Sequence, residues 1–386
     1  MTVRRAVLLT GGTGTLGSLA ATALLRDGGV DVVAPVRAHH PGDAVASAVA
    51  REMRLSGGEV DPGWAERLHQ VALPDGADDP DGPDPLDGLD EVVDRYAADE
   101  LIHCAGCLSY FDEAALRAVN VEMTRRFVQG AERWGMSRVV HISTAFACGF
   151  VGGLVPERLH DEPSDDPTFY TESKRQGERI VAGSGVPFVI LRPSVVIGDS
   201  RDGHYCGPRY GLYQLWSGVE RFLLDEWHRD THYVAPQRTI PLLHQDAYMS
   251  ALLATWRHLP AGSICHLTSH GGPDVRELAD LFVHRHLRPA TVRYYERLAD
   301  VPLDSIPSAQ RAFLGMAAVN IEISSHPWRF DTATLDGLVA DGLDFTDATL
   351  ETVERCQEAY FAGSERLNRY RDRFAGSFPG QTRVLT

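Results

Sequence analysis

Tyr170 and Lys174 stand four residues apart in the stretch FYTESKRQGERI. On a helix that spacing puts both side chains on one face, one above the other. A tyrosine hydroxyl, with an ordinary pKa of about 10, is a poor acid–base group at neutrality. A neighbouring ammonium stabilises the phenolate and is expected to lower that value. The chain holds 37 Lys plus Arg, and Lys174 is its only lysine. Arginine is flat, bulky and forked, whereas an ammonium is a compact, rotatable donor that fits beside the hydroxyls of a ribose. The one exception to arginine therefore falls where a small cation next to a phenol has chemical use.

The second candidate is LLTGGTGTLG, which sets Gly12, Gly14 and Gly17 in a G-x-G-x-x-G pattern, with Gly11 also in register. Glycines there allow a tight turn, close approach of backbone to a pyrophosphate, and close helix–strand packing. Free N–H groups at the following helix start can then hold phosphates. Gly11, Gly12, Thr13, Gly14, Thr15, Leu16 and Gly17 are thus candidate dinucleotide contacts. The coenzyme is set by the end of the next strand, where an NAD site usually carries Asp or Glu. The sequence reads APVRAHH, with Arg37 and then His39 and His40. A carboxylate would repel a 2′-phosphate, whereas a guanidinium pairs with it, so NADPH is the expected coenzyme, with Arg37 as its main contact and His39 a lesser one.

These groups need elements to hold them. RRAVLLTGG reads as a buried strand, GTLGSLAATALLRDGG as a helix closed by Gly28, and VDVVAPVR as the next strand. Alternation continues through HQVAL, DELIHCAG, a long helical pattern over 111–135 with a possible break near Asn120, RVVHIST, a helix opened by Asp166-Pro167, and PFVILRPSVVIG. Such alternation predicts an α/β fold, a Rossmann-like doubly wound parallel sheet, over residues 1–200, with some later segments returning to it. Residues 201–386 are expected to form a smaller, mostly helical substrate lobe, with helices over 246–258, 273–287 and 346–373. The aromatic stretch YGLYQLWSGVERFLLDEWH reads either as an acyl pocket or as the core of that lobe.

Composition narrows the function class. With 386 residues, 44% hydrophobic and a net charge of −16, the chain has ample core and no field suited to nucleic acid or an anionic membrane. The apolar runs are broken by glycines, so no membrane span or signal peptide is expected, and the setting is expected to be cytoplasmic. Cys104 and Cys107 form a C-x-x-C without a second pair to complete a zinc site, so no metal is expected. The Asp/Pro/Gly-rich run at 74–90 reads as a surface loop.

In combination, TGGTGTLG, HCAG, HISTAFACG, YTESK and LRPSVVIGDSRDG are similar to the extended short-chain dehydrogenase/reductases, over roughly residues 5–270. Within them the chain most resembles the branch of fatty acyl-CoA reductases and carrier-protein thioester reductase domains. The resemblance implies that Thr144 donates to a substrate carbonyl with Ser143 beside it, that Tyr170 exchanges the proton, and that Lys174 holds the ribose. It implies Asn120 as a supporting fourth member, Ala105 and Gly106 near the ribose, and Pro193, Ser194 and Val196 along the nicotinamide. Where the family has an adenine contact after its third strand, this chain has Pro74-Asp75, which makes Asp75 the candidate. The activity implied is NADPH-dependent reduction of an acyl thioester on CoA or a separate carrier protein, to aldehyde or alcohol. The alternatives are a ketone or aldehyde reductase of a small metabolite, a sugar-nucleotide epimerase or dehydratase, and a non-catalytic NADP-binding protein.

Overall fold

A computed structural model describes residues 5–37, 39–40, 42–57, 61–74, 84, 86–110, 112–160 and 165–385. The chain divides into two compact units: Met1–Ser194 with Asp246–Thr268 and Phe330–Phe345, and Val195–Gln245 with Ser269–Arg329 and Thr346–Thr386.

The first unit is built on six consecutive strands, β1 (Arg5–Thr10), β2 (Val30–Val36), β3 (Leu68–Ala72), β4 (Ala98–His103), β5 (Arg138–Ile142) and β6 (Phe188–Pro193). Together with the strand Ser263–Leu267 they form a seven-stranded parallel sheet, ordered Ser263–Leu267, β6, β5, β4, β1, β2, β3. This is the doubly wound sheet expected from the alternation. β1 is buried at every residue after Arg5, as a strand covered by helices on both faces must be. Pro35 lacks an N–H, and it lies beyond the pairing of β2 with β1, which ends at Leu8–Val33.

Helices α1 (Thr15–Asp27), α2 (Ala44–Leu55), α3 (Leu89–Tyr96), α4 (Glu113–Leu116), α5 (Thr124–Arg133) and α6 (Phe169–Ala182) link these strands. Gly28 closes α1 in the left-handed conformation, φ 80°, its N–H bonded to Leu24 O. The break expected near Asn120 is instead a widened π-helical turn, Arg117–Met123, through which the chain passes from α4 to α5. α6 begins at Phe169, two residues later than Asp166-Pro167 suggests. Thr168 takes the cap, accepting from Thr171 N at 3.3 Å, because the Asp166 carboxylate is occupied by Arg175, whose Nη1 and Nη2 lie 2.8 and 2.5 Å from its two oxygens. Four residues beyond Lys174, Glu178 forms a second fork with Arg192 of β6, at 2.8 and 2.7 Å, both side chains fully buried. Two guanidinium–carboxylate forks thus fix the helix that carries Tyr170 and Lys174.

The second unit has a three-stranded parallel sheet ordered Arg383–Leu385, Thr291–Tyr295, Asp230–Val234, and a two-stranded ladder of Val195–Ile197 with Leu242–His244. Its helices include Leu212–Phe222, Val275–Phe282 and Ser308–Ser325. The single helix expected over 346–373 is two, Leu350–Ala362 and Glu365–Phe374, because Ser364 stops one and caps the other by accepting from Leu367 N at 3.1 Å. Tyr213, Trp216 and Val219 of the aromatic stretch belong to this unit's core. Leu212 and Trp216 also line a cavity of about 50 Å³ with Phe282, Phe313 and Ala317. Among the described residues no helix is long and apolar enough to cross a membrane.

Candidate active site

In the first unit the sheet order reverses between β1 and β4, so the loops after these strands diverge and leave a crevice at the carboxyl edge. The glycine turn follows β1. Gly11 adopts φ 71°, and a Cβ on it would lie 2.5 Å from Ala105 N, the loop after β4. A Cβ on Gly17 would lie 2.1 Å from Gly11 O. These two positions are closed to any side chain. α1 opens at Gly14 with no side-chain cap, so the N–H groups of its first turn, in Thr15, Leu16 and Gly17, are available to an anion beside Thr13. The turn therefore fits a pyrophosphate.

At the end of β2, Arg37 is half-buried and its Nη2 lies 3.4 Å from His40 Nε2. His39 and His40 lie ring against ring at 4.4 Å. Burial, Arg37 and His39 all hold His40 below its ordinary pKa. Asp75 lies outside the described residues.

The other candidates lie at the ends of β4, β5 and β6, in the π-helical turn and on α6. Lys174 is buried, and its Nζ donates to Ile142 O, the last carbonyl of β5, at 2.7 Å. A Cβ on Gly106 would come within 4.0 Å of that ammonium and 3.5 Å of Asn120 Oδ1, so Ala105-Gly106 is a thin wall beside both. Burial lowers Lys174 to about 8, and the Glu178 carboxylate opposes that lowering. Thr144, buried, starts a 3-10 turn by accepting from Phe146 N at 3.4 Å, and its side chain acts to lower the pKa of the Tyr170 phenol. Ser143 and Ser194 are buried, and the hydroxyl of each has no partner among the described residues. Two orphaned donors at adjacent strand ends, next to buried Pro193, suit a polar ligand there. Val196 belongs to the second unit, paired with Leu243.

The expected effect of Lys174 on Tyr170 is corrected by the structure. Burial pushes the phenol above its ordinary value, Tyr110, 5.9 Å away ring to ring, adds to the rise, and the Thr144 side chain works against it. The ammonium is directed to Ile142 O, and desolvation of the phenol prevails. Tyr170 is thus a protonated phenol.

Asn120, in the π-helical turn, closes a ring of bonds. Its Oδ1 accepts from Cys107 N at 2.8 Å, and its Nδ2 donates to Cys107 O at 3.1 Å and to Ser173 Oγ at 2.9 Å. Sequence reasoning missed Ser173, Thr10, His103 and Thr124, whose polar atoms continue from Asn120 into the sheet. Thr10, His103 and Ser173 lie inside the motifs quoted above, but nothing local gives them this role, since their partners are up to 95 residues away. Burial pushes the Cys104 thiol up to about 12, which leaves the C-x-x-C without a reactive thiolate at that position.

The family model described as the NAD dependent epimerase/dehydratase family matches residues 7–207. Among solved structures, the terminal R domain from the myxalamid PKS-NRPS biosynthetic pathway is 20% identical, with 94% of this chain and 92% of that one covered and a TM-score of 0.72. A thiolation-reductase di-domain from an archaeal non-ribosomal peptide synthetase is 15% identical over 94% and 91% of the two chains, TM-score 0.61. UDP-glucuronic acid 4-epimerase from Bacillus cereus, in complex with NAD, is 18% identical over 72% and 83%, TM-score 0.52. At these identities the likeness is one of fold. No curated protein matches the chain at a significant level. The family match takes in just over half of the sequence, from the glycine turn past the Tyr170–Lys174 helix, and the protein belongs to that family, among the extended short-chain dehydrogenase/reductases.

Proposed function

We propose that the protein is an NADPH-dependent reductase of acyl thioesters, carried by CoA or by a separate carrier protein. The observation that carries this reading is a convergence: Tyr170 and the buried Lys174, one turn apart on α6, and the buried Thr144 at the end of β5 lie at the Ala105-Gly106 loop, against which the glycine turn packs. Reduction of a carbonyl needs a proton donor at the oxygen, and a phenol, protonated at neutrality, can supply it. The names of two structural neighbours, a terminal R domain and a thiolation-reductase di-domain, support the thioester as substrate.

NADPH, when bound, supplies the hydride. Gly11 to Gly17 would hold its pyrophosphate, Lys174 its ribose hydroxyls, and Ser143 and Ser194 the polar edge beside the nicotinamide. Thr144 and Tyr170 meet the negative charge that develops on the substrate oxygen, and Tyr170 delivers its proton. With a thioester, the resulting hemithioacetal expels the thiol and leaves an aldehyde.

The test is turnover of NADPH with acyl-CoAs, carrier-bound acyl groups and free carbonyls, with thiol release measured in parallel. Thiol released in step with NADPH loss is expected; turnover confined to free carbonyls would reject the thioester. For the coenzyme, Arg37→Ala is expected to raise KM for NADPH by roughly 10- to 100-fold, the loss of a charge-assisted hydrogen-bond pair. KM for NADH should move less than twofold, and equal effects on both would remove Arg37 from the 2′-phosphate.

A further inference from the structure

His103 ends β4 with no exposed surface, its ring between Phe127, 5.8 Å away, and His141, stacked at 5.5 Å. Both ring nitrogens have hydroxyl partners: Nδ1 lies 2.8 Å from Thr10 Oγ1 and Nε2 lies 3.0 Å from Thr124 Oγ1. The contacts on either side decide which nitrogen carries the proton. Thr124 Oγ1 lies 2.9 Å from Asn120 O, a carbonyl that can only accept, so the hydroxyl spends its single proton there. It must therefore accept from His103 Nε2–H. That leaves Nδ1 as an acceptor, filled by the Thr10 hydroxyl, which itself accepts from Ala105 N–H at 3.3 Å. Beyond Asn120 the direction is kept, since Asn120 Nδ2 donates to Ser173 Oγ, which donates to Tyr170 O at 2.8 Å.

We propose that His103 is the positioning residue of one polar chain in which every donor points the same way. It runs from Ala105, on the coenzyme side of the crevice, to the first turn of the helix that bears Tyr170 and Lys174. The chain crosses five elements: the end of β1, the end of β4, the start of α5, the π-helical turn and α6. The two threonine hydroxyls and the imidazole fix one another, Thr124 ties them to the backbone of the π-helical turn, and the Asn120 amide carries the link on to Ser173, so the turn and the backbone of Tyr170 are held in register with the loop that lines the coenzyme. A neutral imidazole is required, and burial, together with Lys174, holds His103 at about 3, far below neutrality.

Two measurements test this. Nitrogen-15 NMR of the full-length protein, with His103 identified by the signal lost in His103→Asn or displaced in Thr124→Val, is expected to show the Nε2–H tautomer at pH 7. An Nδ1–H tautomer or an even mixture would overturn the chain. The kinetic arm rests on the reductase reading above. The isosteric Thr124→Val is expected to lower kcat about tenfold, with KM for NADPH within twofold and Thr124→Ser restoring the rate. Thr10→Val with Thr124→Val should be no slower than the slower single variant, because the chain is broken once. A Thr124→Val enzyme with unaltered kcat, or multiplicative losses in the double variant, would reduce His103 to packing. If the wild-type protein consumes no NADPH with any carbonyl, the reductase reading falls, while the tautomer still decides the role of His103.

Discussion

Lys174→Arg is expected to lower kcat by about 100- to 10,000-fold, the range lost with a general acid–base system. The native ammonium is buried, donating to Ile142 O at 2.7 Å with Gly106 as one wall. A guanidinium is larger, planar and needs five donors satisfied, so it must displace the Ala105-Gly106 loop or withdraw from the crevice. Either way the helix forks at Asp166–Arg175 and Glu178–Arg192 are untouched, and the fold should persist. Steady-state kinetics beside a thermal melt checks this; a variant within tenfold of the wild-type rate would end the account of the lone lysine. The same ammonium gives a pH dependence. Lys174 is cationic below about 8 and loses its charge above it. Affinity for NADPH should be flat on the acid side of that value and fall on the alkaline side, with the midpoint raised when the coenzyme's phosphates are near. Binding isotherms from pH 6 to about 10 measure it.

The second large effect is expected from Gly17→Ala, which should raise the dissociation constant for NADPH by more than about 100-fold, equivalent to nearly 3 kcal/mol. The added Cβ would lie 2.1 Å from Gly11 O and 3.0 Å from Gly12 Cα, both rigid backbone, so the turn must open before the methyl fits. Opening it destroys the spacing between the turn and the free N–H groups of α1, and the strain should cost about 1–3 kcal/mol in a melt. Gly14→Ala is the control. Its φ is −82°, and the nearest atom to its Cβ is Gly11 O at 3.3 Å, so the fold should accept it with little loss of stability. A thermal melt separates the two variants, and because Gly14 is itself placed against the pyrophosphate the affinity test rests on Gly17→Ala: a near-native dissociation constant by fluorescence titration would show that close backbone packing at Gly17 is not what shapes the phosphate site.

Local patterns carried much of this protein. A buried strand, three spaced glycines and a helix closed at Gly28 are written within thirty residues, because a tight turn, an open helix start and a left-handed cap each depend on neighbours in the chain. The four-residue step from Tyr170 to Lys174 is likewise local, since helical geometry alone puts both on one face. The start of α6 was less legible, because the competition between Asp166 and Thr168 for the cap is settled by Arg175, a turn further on.

Tertiary structure decided what depends on partners distant in the chain. The order of the sheet, with β4 beside β1 across nearly ninety residues, creates the crevice, and no periodicity encodes it. The Tyr170 phenol is raised rather than lowered because desolvation depends on everything packed round it, whereas spacing reports a single neighbour. His103, Thr10, Thr124 and Ser173 are ordinary residues in the sequence. They become one polar chain only when the ends of β1 and β4, the wide turn at Asn120 and α6 converge, because a hydrogen bond needs its two atoms within about 3 Å and has no preference for how much chain lies between them.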